Sequence, residues 1–118
     1  MSKITKLSDI EIYKDALVLA RDIYSLTRNI KLSKDFSIID QLRRASLSVP
    51  ANIAEGYGRK SKRDFAQFLS IALGSINELI TFLDFVRLEY DLDTCQTIEK
   101  YNILAKRVFS FRSYLLNS

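Results

Sequence analysis

A cluster of basic residues near position 60 has the clearest chemical potential in this sequence. Four cations fall within five positions and a tyrosine precedes them, in the order Tyr57, Arg59, Lys60, Lys62 and Arg63. Lysine and arginine side chains bind phosphates in a salt-dependent way, and a tyrosine ring offers a stacking surface to an unpaired base. The cluster therefore predicts a nucleic-acid contact, and a solvated turn between two helices is the alternative interpretation.

Further cations lie elsewhere in the chain, which has 118 residues and a net charge of +4. Arg43 lies about four helical turns before the cluster, and Lys106 and Arg107 are adjacent near the C-terminus. Because the sequence has no recognition helix or RNA-binding motif, we expect binding to RNA or DNA to depend little on base sequence. If copies of the chain form a ring, each patch is repeated in every subunit.

The sequence offers little for catalysis. It contains no histidine, which is the commonest general acid or base and the commonest metal ligand. Cys95 therefore lacks the partner that would activate it as a nucleophile. Glu55 and Glu78 could form a carboxylate pair if they met, whereas ion pairing of Glu55 with Arg44 or Arg59 is the structural alternative. We predict no catalytic residue, no metal site and no cofactor, and hence a protein that is not an enzyme.

The segment before the basic cluster is predicted to be a helix with two chemically different faces. Residues three or four positions apart share one face of a helix. A mispaired buried polar group costs about 1–3 kcal/mol, so a polar face can select one arrangement of packed helices over its neighbours. The polar stripe consists of Gln41, Arg44, Ser48, Asn52 and Glu55, and an apolar stripe runs beside it through Leu42, Ala45, Val49, Ile53 and Tyr57.

Pro50 lies inside this second helix. Proline removes a backbone donor and clashes with the preceding turn, so we predict a kink near Pro50. The hydroxyls of Ser46 and Ser48 are placed to bond backbone groups that the proline leaves unpaired. Gly58 can adopt the left-handed conformation that ends many helices.

Three other amphipathic segments complete an all-α chain with short connections. Their starts carry small polar residues that can cap a helix, with an acid or amide three positions later in the Ser8–Glu11 and Asp93–Gln96 boxes. Short connections favour an up-down-up-down four-helix bundle, formed as one domain over residues 1–118. We expect helix 1 from Ser8, fraying near residues 29–32, helix 2 from Ser33 or Ser37 to about Tyr57, helix 3 from after Ser61 to about Tyr90, and helix 4 from Asp93.

Helix 3 has more apolar residues than one face can hold. A helix that is apolar most of the way round must be covered on most sides, which predicts a subunit interface, although loops packed over the helix are the alternative. A glycine inside a helix costs about 1 kcal/mol relative to alanine, and a close approach of another helix would offset that cost. The interface candidates are Ile71, Gly74, Glu78, Phe82 and Phe85.

Cysteine usage and hydropathy indicate the compartment. The single Cys95 cannot form an internal disulfide, which is typical of a reducing environment. The first residues lack the apolar run of a signal peptide, and no uninterrupted apolar stretch reaches about 18 residues. We therefore expect a cytoplasmic protein with no membrane partner.

A long motif carries a family resemblance. S-V-P-A-N-I-A-E-G-Y-G-R, followed by S-K-R-D-F-A-Q-F-L-S-I-A-L-G-S-I-N-E-L, resembles the four-helix-bundle family encoded in intervening sequences of bacterial 23S rRNA genes, most clearly from Ile12 to Tyr90. The resemblance implies a small bacterial cytoplasmic bundle that assembles into a homopentamer. More distantly, the chain is similar to accessory proteins of diversity-generating retroelements, which are basic pentameric barrels that bind nucleic acid and a reverse transcriptase.

These observations lead to two readings of function. The first is a non-enzymatic oligomer that binds RNA or DNA through basic patches, or binds a partner that handles nucleic acid, such as a reverse transcriptase. The alternative is a purely structural oligomer with no nucleic-acid role.

Overall fold

Four antiparallel α-helices form the fold in the computed structural model, which describes residues 6–7 and 10–118. Each helix packs on the next along the chain, and α4 returns to contact α1, so the predicted all-α, up-down-up-down four-helix bundle is confirmed. The helices are α1 (Glu11–Leu26), α2 (Phe36–Tyr57), α3 (Lys62–Tyr90) and α4 (Cys95–Leu116), and a 3-10 turn at Ile30–Leu32 precedes α2.

The longest helix of the bundle is α3, which packs against both α2 and α4. Its 29 residues span about 44 Å at 1.5 Å per residue, close to the 46 Å length of the whole molecule. Burial of one leucine or isoleucine side chain stabilises a fold by about 1.5–3 kcal/mol. The fully buried aliphatic residues of α3 recur at steps of three or four: Leu69, Ala72, Ile76, Leu79, Leu83 and Val86.

The start of α3 agrees with its predicted cap, and α2 begins at Phe36, one residue before the predicted start at Ser37. Ser61 Oγ accepts a hydrogen bond from Asp64 N at 3.0 Å, which confirms the cap after which helix 3 begins. The cap of α2 is Asp35, whose Oδ1 accepts from Ile38 N at 3.0 Å. The alternative start at Ser33 was wrong, because Ser33 ends the 3-10 turn that precedes the helix.

The other two starts also differ in detail from the predicted capping boxes. Ser8 lies outside the described residues, and Ile10, which precedes α1, makes no side-chain cap. Thr94, and not Asp93, is the residue immediately before α4. Asp93 Oδ1 still accepts from Cys95 N at 3.0 Å, while Thr94 Oγ1 donates to Leu83 O at 3.0 Å and joins α4 to α3.

The helix α2 continues through Pro50 without interruption, and the kink stays a prediction. The expected role of the nearby serines was wrong: Ser46 Oγ donates to Arg43 O at 2.8 Å, and Ser48 Oγ pairs with a side chain of α3. Gly58 was also wrongly predicted, since its φ of −76° is right-handed. The left-handed helix end is at Asp91, with φ 52°, after α3.

Within residues 6–7 and 10–118, one helix, α3, is long and apolar enough to cross a membrane by length and composition alone. A helix at the centre of a bundle passes the same test, because packing against two neighbours requires a broad apolar surface. In this fold α3 packs against both α2 and α4.

Candidate functional site

The basic cluster lies at the end of the bundle where α2, α3 and α4 meet. Lys60 is on the turn between α2 and α3. Lys62 Nζ donates to Ser118 Oγ at 3.1 Å, and Arg112 Nε donates to Ser70 Oγ at 2.7 Å. These two contacts attach the C-terminal part of α4 to the first turns of α3. Arg112 therefore lies at the same end as the cluster.

The cations at this end of the bundle differ in whether they have an ion-pair or aromatic partner. Arg59 Nη2 lies 3.6 Å from Glu55 Oε1, and its guanidinium carbon is 4.8 Å from the centroid of the Phe68 ring. Lys60 and Arg63 are exposed and take part in none of the ion pairs found within residues 6–7 and 10–118. Lys60 and Arg63 are therefore exposed cations of the cluster outside these ion pairs.

Four aromatic rings form a row from the core to the surface at the basic end. Tyr57 meets Phe65 edge to face at 6.4 Å between centroids, and Phe65 meets Phe111 edge to face at 5.5 Å. Phe111 then stacks on Tyr114 at 6.2 Å and 13° between ring planes. We call these residues the aromatic row. Tyr57 is half-buried, whereas Tyr114 is 46% exposed.

Tyr114 was not among the predicted site residues. The sequence signal was present but weak: an aromatic pair three positions apart, 111 and 114, lies beside the basic residue Arg112 on one amphipathic helix. Spacing of this kind is equally common in the core face of a helix. Only the packing of α4 against α3 shows that one ring of the pair faces solvent.

Arg43 is separate from the basic cluster. Its Nε donates to Thr27 Oγ1 at 2.9 Å, and its guanidinium carbon lies 4.5 Å from the centroid of the Tyr24 ring. It lies 16 positions from Arg59, or about 24 Å along a helix. The side chain is half-buried between α1 and α2 and joins those two helices.

Lys106 and Arg107 lie on α4 away from the α2–α3 turn and have different surroundings. Lys106 is exposed, whereas Arg107 forms an ion pair with Asp15 of α1. A second pair joins Lys100 to Asp22 at 3.8 Å, so both connect α4 to α1. The groove between these helices has a volume of about 260 Å³ and is lined by Asp15, Val18, Leu19, Lys100, Ile103, Leu104 and Arg107.

The polar stripe of α2 and the interface candidates of α3 border the same helix–helix contact. Ser48 Oγ lies 2.8 Å from Ser75 Oγ of α3. Asn52 Nδ2 donates to Ser48 O at 2.8 Å and to Ser48 Oγ at 3.0 Å. A shallow groove of about 180 Å³ lies beside this cluster, lined by Gln41, Arg44, Ala45, Ser48 and Glu78.

The remaining interface candidates are open along α3. Ile71 is 51% exposed and Phe85 is 46% exposed, while Phe82 is half-buried. A Cβ atom added at Gly74 would meet no atom within 4 Å, so no helix of the same chain approaches closely there. We call the exposed surface along the α2–α3 contact the α2–α3 face. It comprises Gln41, Ile71, Gly74, Glu78, Phe82 and Phe85.

The two glutamates considered for catalysis are apart. Glu55 pairs with Arg59, as one of the structural alternatives predicted, whereas Glu78 lies by Arg44 in the groove. Cys95 is exposed, and its Sγ accepts from Arg87 Nη1 at 2.8 Å. In the described part of the chain, no three cysteine, aspartate or glutamate side chains converge as a metal site would require.

Comparison with known proteins identifies the family. A protein of unknown function from the S23 ribosomal protein family of Bacteroides thetaiotaomicron, solved by crystallography at 1.70 Å, has a similar fold: the TM-score is 0.62 and the identity 25%, over 90% of this chain and 95% of that one. No curated protein matches the chain. The sequence model of the 23S rRNA-intervening sequence proteins matches residues 8–111. Because that match spans most of its length, the chain belongs to the 23S rRNA-intervening sequence protein family.

Proposed function

We propose that this protein is a non-enzymatic, cytoplasmic oligomer that binds RNA or DNA with little sequence preference through its basic end. The observation that carries the proposal is the exposure of Lys60 and Arg63 without an acidic partner in the described chain. Unpaired surface cations bind phosphates with release of counterions, and each contact adds to the affinity. Lys62 and Arg112 extend the same surface.

We propose a homopentamer assembled through the α2–α3 face. The apolar side chains of Ile71 and Phe85 are exposed on α3, and the open position of Gly74 leaves room for a helix of a neighbouring subunit. Exposed apolar residues in one line along a helix are typical of protein–protein contacts. Beside them, Arg44 and Glu78 provide charged groups that can set the register between subunits. A ring would repeat the basic end in every subunit and multiply its phosphate contacts.

Charge reversal tests the nucleic-acid interface. Lys60→Glu with Arg63→Glu is compared with Arg28→Glu with Lys34→Glu. The latter pair consists of exposed cations on the opposite end of the bundle, so the two double variants have the same net charge. Fluorescence anisotropy measures binding of a labelled RNA from about 50 to 200 mM salt. We expect the first variant to lose about tenfold or more in affinity and to show a shallower salt dependence, and the second to bind almost as wild type does.

Two results of the charge-reversal experiment would contradict the proposed nucleic-acid interface. Equal losses in both variants would mean that net charge alone governs binding, and the basic end would not be the interface. Absence of RNA and DNA binding by the wild type, with the oligomer intact, would instead favour the purely structural alternative or a partner protein that itself handles nucleic acid.

Light scattering after gel filtration tests the assembly. The wild type should have a mass near five subunits, and Phe85→Lys should reduce it because a charge would be buried in the interface. Phe109→Lys is the matched control, since Phe109 is a similarly exposed phenylalanine on α4, outside the α2–α3 face. Assembly lost only in the Phe109 variant would place the interface elsewhere, and a monomeric wild type would remove the oligomer proposal.

A further inference from the structure

We infer that Tyr114 is a stacking surface for an unpaired base, so that the nucleic acid bound at the basic end is single-stranded. This inference rests on the proposed function and specifies the ligand of the same site. The Tyr114 ring lies nearly parallel to the ring of Phe111, at 6.2 Å between centroids and 13° between planes, while 46% of the residue stays exposed. An exposed aromatic ring can accept a base on its accessible face.

The aromatic row fixes the orientation of this ring before any ligand arrives. The ring of Phe111 lies nearly parallel to that of Tyr114 and itself meets Phe65 edge to face. Phe65 in turn contacts Tyr57 at the end of α2. A side chain that is already oriented loses less conformational entropy on binding. Tyr57 cannot play the same part, because it is half-buried against the core.

The basic cluster lies at the same end of the bundle as this ring. Ser118 follows Tyr114 by four residues, two positions past the end of α4, and its Oγ accepts a hydrogen bond from Lys62 Nζ at 3.1 Å. The last turn of α4 therefore lies against the start of α3, where Arg63 is exposed. A strand whose backbone follows these cations can place a base against Tyr114. Single strands suit such a combination, because their bases and phosphates are both accessible.

The ligand class follows from the chemistry of the ring. In a duplex the faces of the bases are covered by their neighbours, so Tyr114 gains nothing from duplex beyond the phosphate contacts of the cations. In a single strand each base has a free face, and stacking adds to the phosphate contacts whatever the base is. Unpaired RNA and unpaired DNA share this chemistry.

The first experiment compares single strands with duplex. Labelled uridine-only RNA, thymidine-only DNA and a mixed-sequence duplex, each of about 20 units so that a site of 4–16 nucleotides is covered, are titrated with wild type, Tyr114→Ala and Tyr114→Phe. We expect Tyr114→Ala to weaken single-strand binding about tenfold, with unchanged salt dependence and unchanged duplex binding. Tyr114→Phe should bind as wild type does, because the ring is kept. A loss with RNA alone or with DNA alone would identify which strand is the ligand.

A second measurement reports contact directly. The chain contains no tryptophan, so Tyr114→Trp introduces a single fluorescent reporter at the proposed site. Phe36→Trp is the control, because Phe36 is 77% exposed at the opposite end of the bundle. Single strands should quench the emission of the first variant and leave that of the second unchanged.

The outcomes separate the two proposals. If the wild type binds none of the three nucleic acids, the proposed function itself fails. If the wild type binds nucleic acid, Tyr114→Ala could weaken binding of single strands and duplex equally, or could weaken binding of neither. In both cases the basic end is an interface but Tyr114 is not its stacking surface. A single strand that binds without quenching Tyr114→Trp would overturn the inference even if Tyr114→Ala failed to fold.

Discussion

Ser48 of α2 and Ser75 of α3 hydrogen-bond through their hydroxyl oxygens, 2.8 Å apart, where the two helices cross the middle of the bundle. Asn52 donates to the same Ser48 hydroxyl at 3.0 Å. The helices are antiparallel, so this contact sets their register and brings Glu78 into the groove beside Arg44. A polar cluster therefore aligns the two helices whose outer surfaces form the α2–α3 face.

A double-mutant cycle tests this cluster. Ser48→Ala should lower the free energy of unfolding by about 1–3 kcal/mol, because it leaves the Ser75 hydroxyl without its partner in a buried position. Ser75→Ala should cost less, since Ser48 still accepts from Asn52. Removing both hydroxyls should cost less than the sum of the single changes, with a coupling of about 0.5–1.5 kcal/mol. Urea denaturation measures all three, and additive effects would show that the two hydroxyls are not coupled.

Two glycines should respond in opposite ways to alanine. A Cβ at Gly56 would lie 2.7 Å from Phe65 Cδ1 and 2.9 Å from Phe68 Cβ, so Gly56→Ala forces α2 and α3 apart and should cost about 1–3 kcal/mol. Gly74→Ala meets no atom within 4 Å and should add about 1 kcal/mol through helix propensity. Thermal melts under dissociating conditions provide the test. A stable Gly56→Ala variant would contradict the close approach.

Tyr101→Phe should stabilise the fold. The Tyr101 hydroxyl is buried and has no hydrogen-bond partner among the described residues, so its removal relieves a desolvation cost of about 1–3 kcal/mol. Burial, and then the charge of Asp22, raise the pKa of Tyr101 above its usual value. Because the folded chain keeps the Tyr101 proton to a higher pH than the unfolded chain does, the free energy of unfolding is unaffected by the titration of this group below about pH 10 and falls as pH rises further.

The phenylalanine variant should therefore also tolerate alkali better than the wild type. Urea denaturation at neutral pH and above about pH 10 measures both effects. Lower stability at neutral pH would mean that the hydroxyl does have a partner in solution.

Pro50→Ala should keep the bundle folded and raise its melting temperature. Proline in a helix interior is about 3 kcal/mol less favourable than alanine, and the change restores a backbone donor to α2. Pro50 is buried, so two lost ring carbons offset part of the gain, at about 0.8 kcal/mol each. The melting temperature is measured by following the helical circular dichroism signal as the protein is heated. A large drop in melting temperature would show that the core needs the geometry that proline imposes.

The hydrogen bond between Tyr90 and Asp35 should make the free energy of unfolding depend on pH in the acidic range. The Tyr90 hydroxyl donates to Asp35 Oδ2 at 2.5 Å, and this bond, followed by that from Ile38 N, holds the pKa of Asp35 below its usual value. The stabilisation is then fully present above the unfolded pKa of about 4 and is lost as pH falls through the lower folded pKa. Tyr90→Phe should be less stable than wild type at neutral pH, with the difference shrinking below about pH 4. A constant difference down to low pH would contradict this linkage.

Local signals in the sequence predicted most of the fold. The periodic apolar residues and the cap at Ser61 were enough for four helices in an up-down-up-down bundle, and the motif around Pro50 predicted the family that the comparison then showed. The exact residues that cap the helices could not be predicted as well from the sequence. Asp35 caps α2 while also accepting from Tyr90, 55 residues away, and such a choice between nearby capping residues depends on distant partners.

Local chemistry therefore determined the helices, because apolar periodicity and capping act within a few residues along the chain. Tertiary packing decided the surroundings of the candidate site, because side chains distant in sequence meet only when helices cross. Arg43 was directed to Thr27 and Tyr24, away from the other cations. Tyr114 was brought to the basic end by contacts between α3 and α4, which no local pattern encodes.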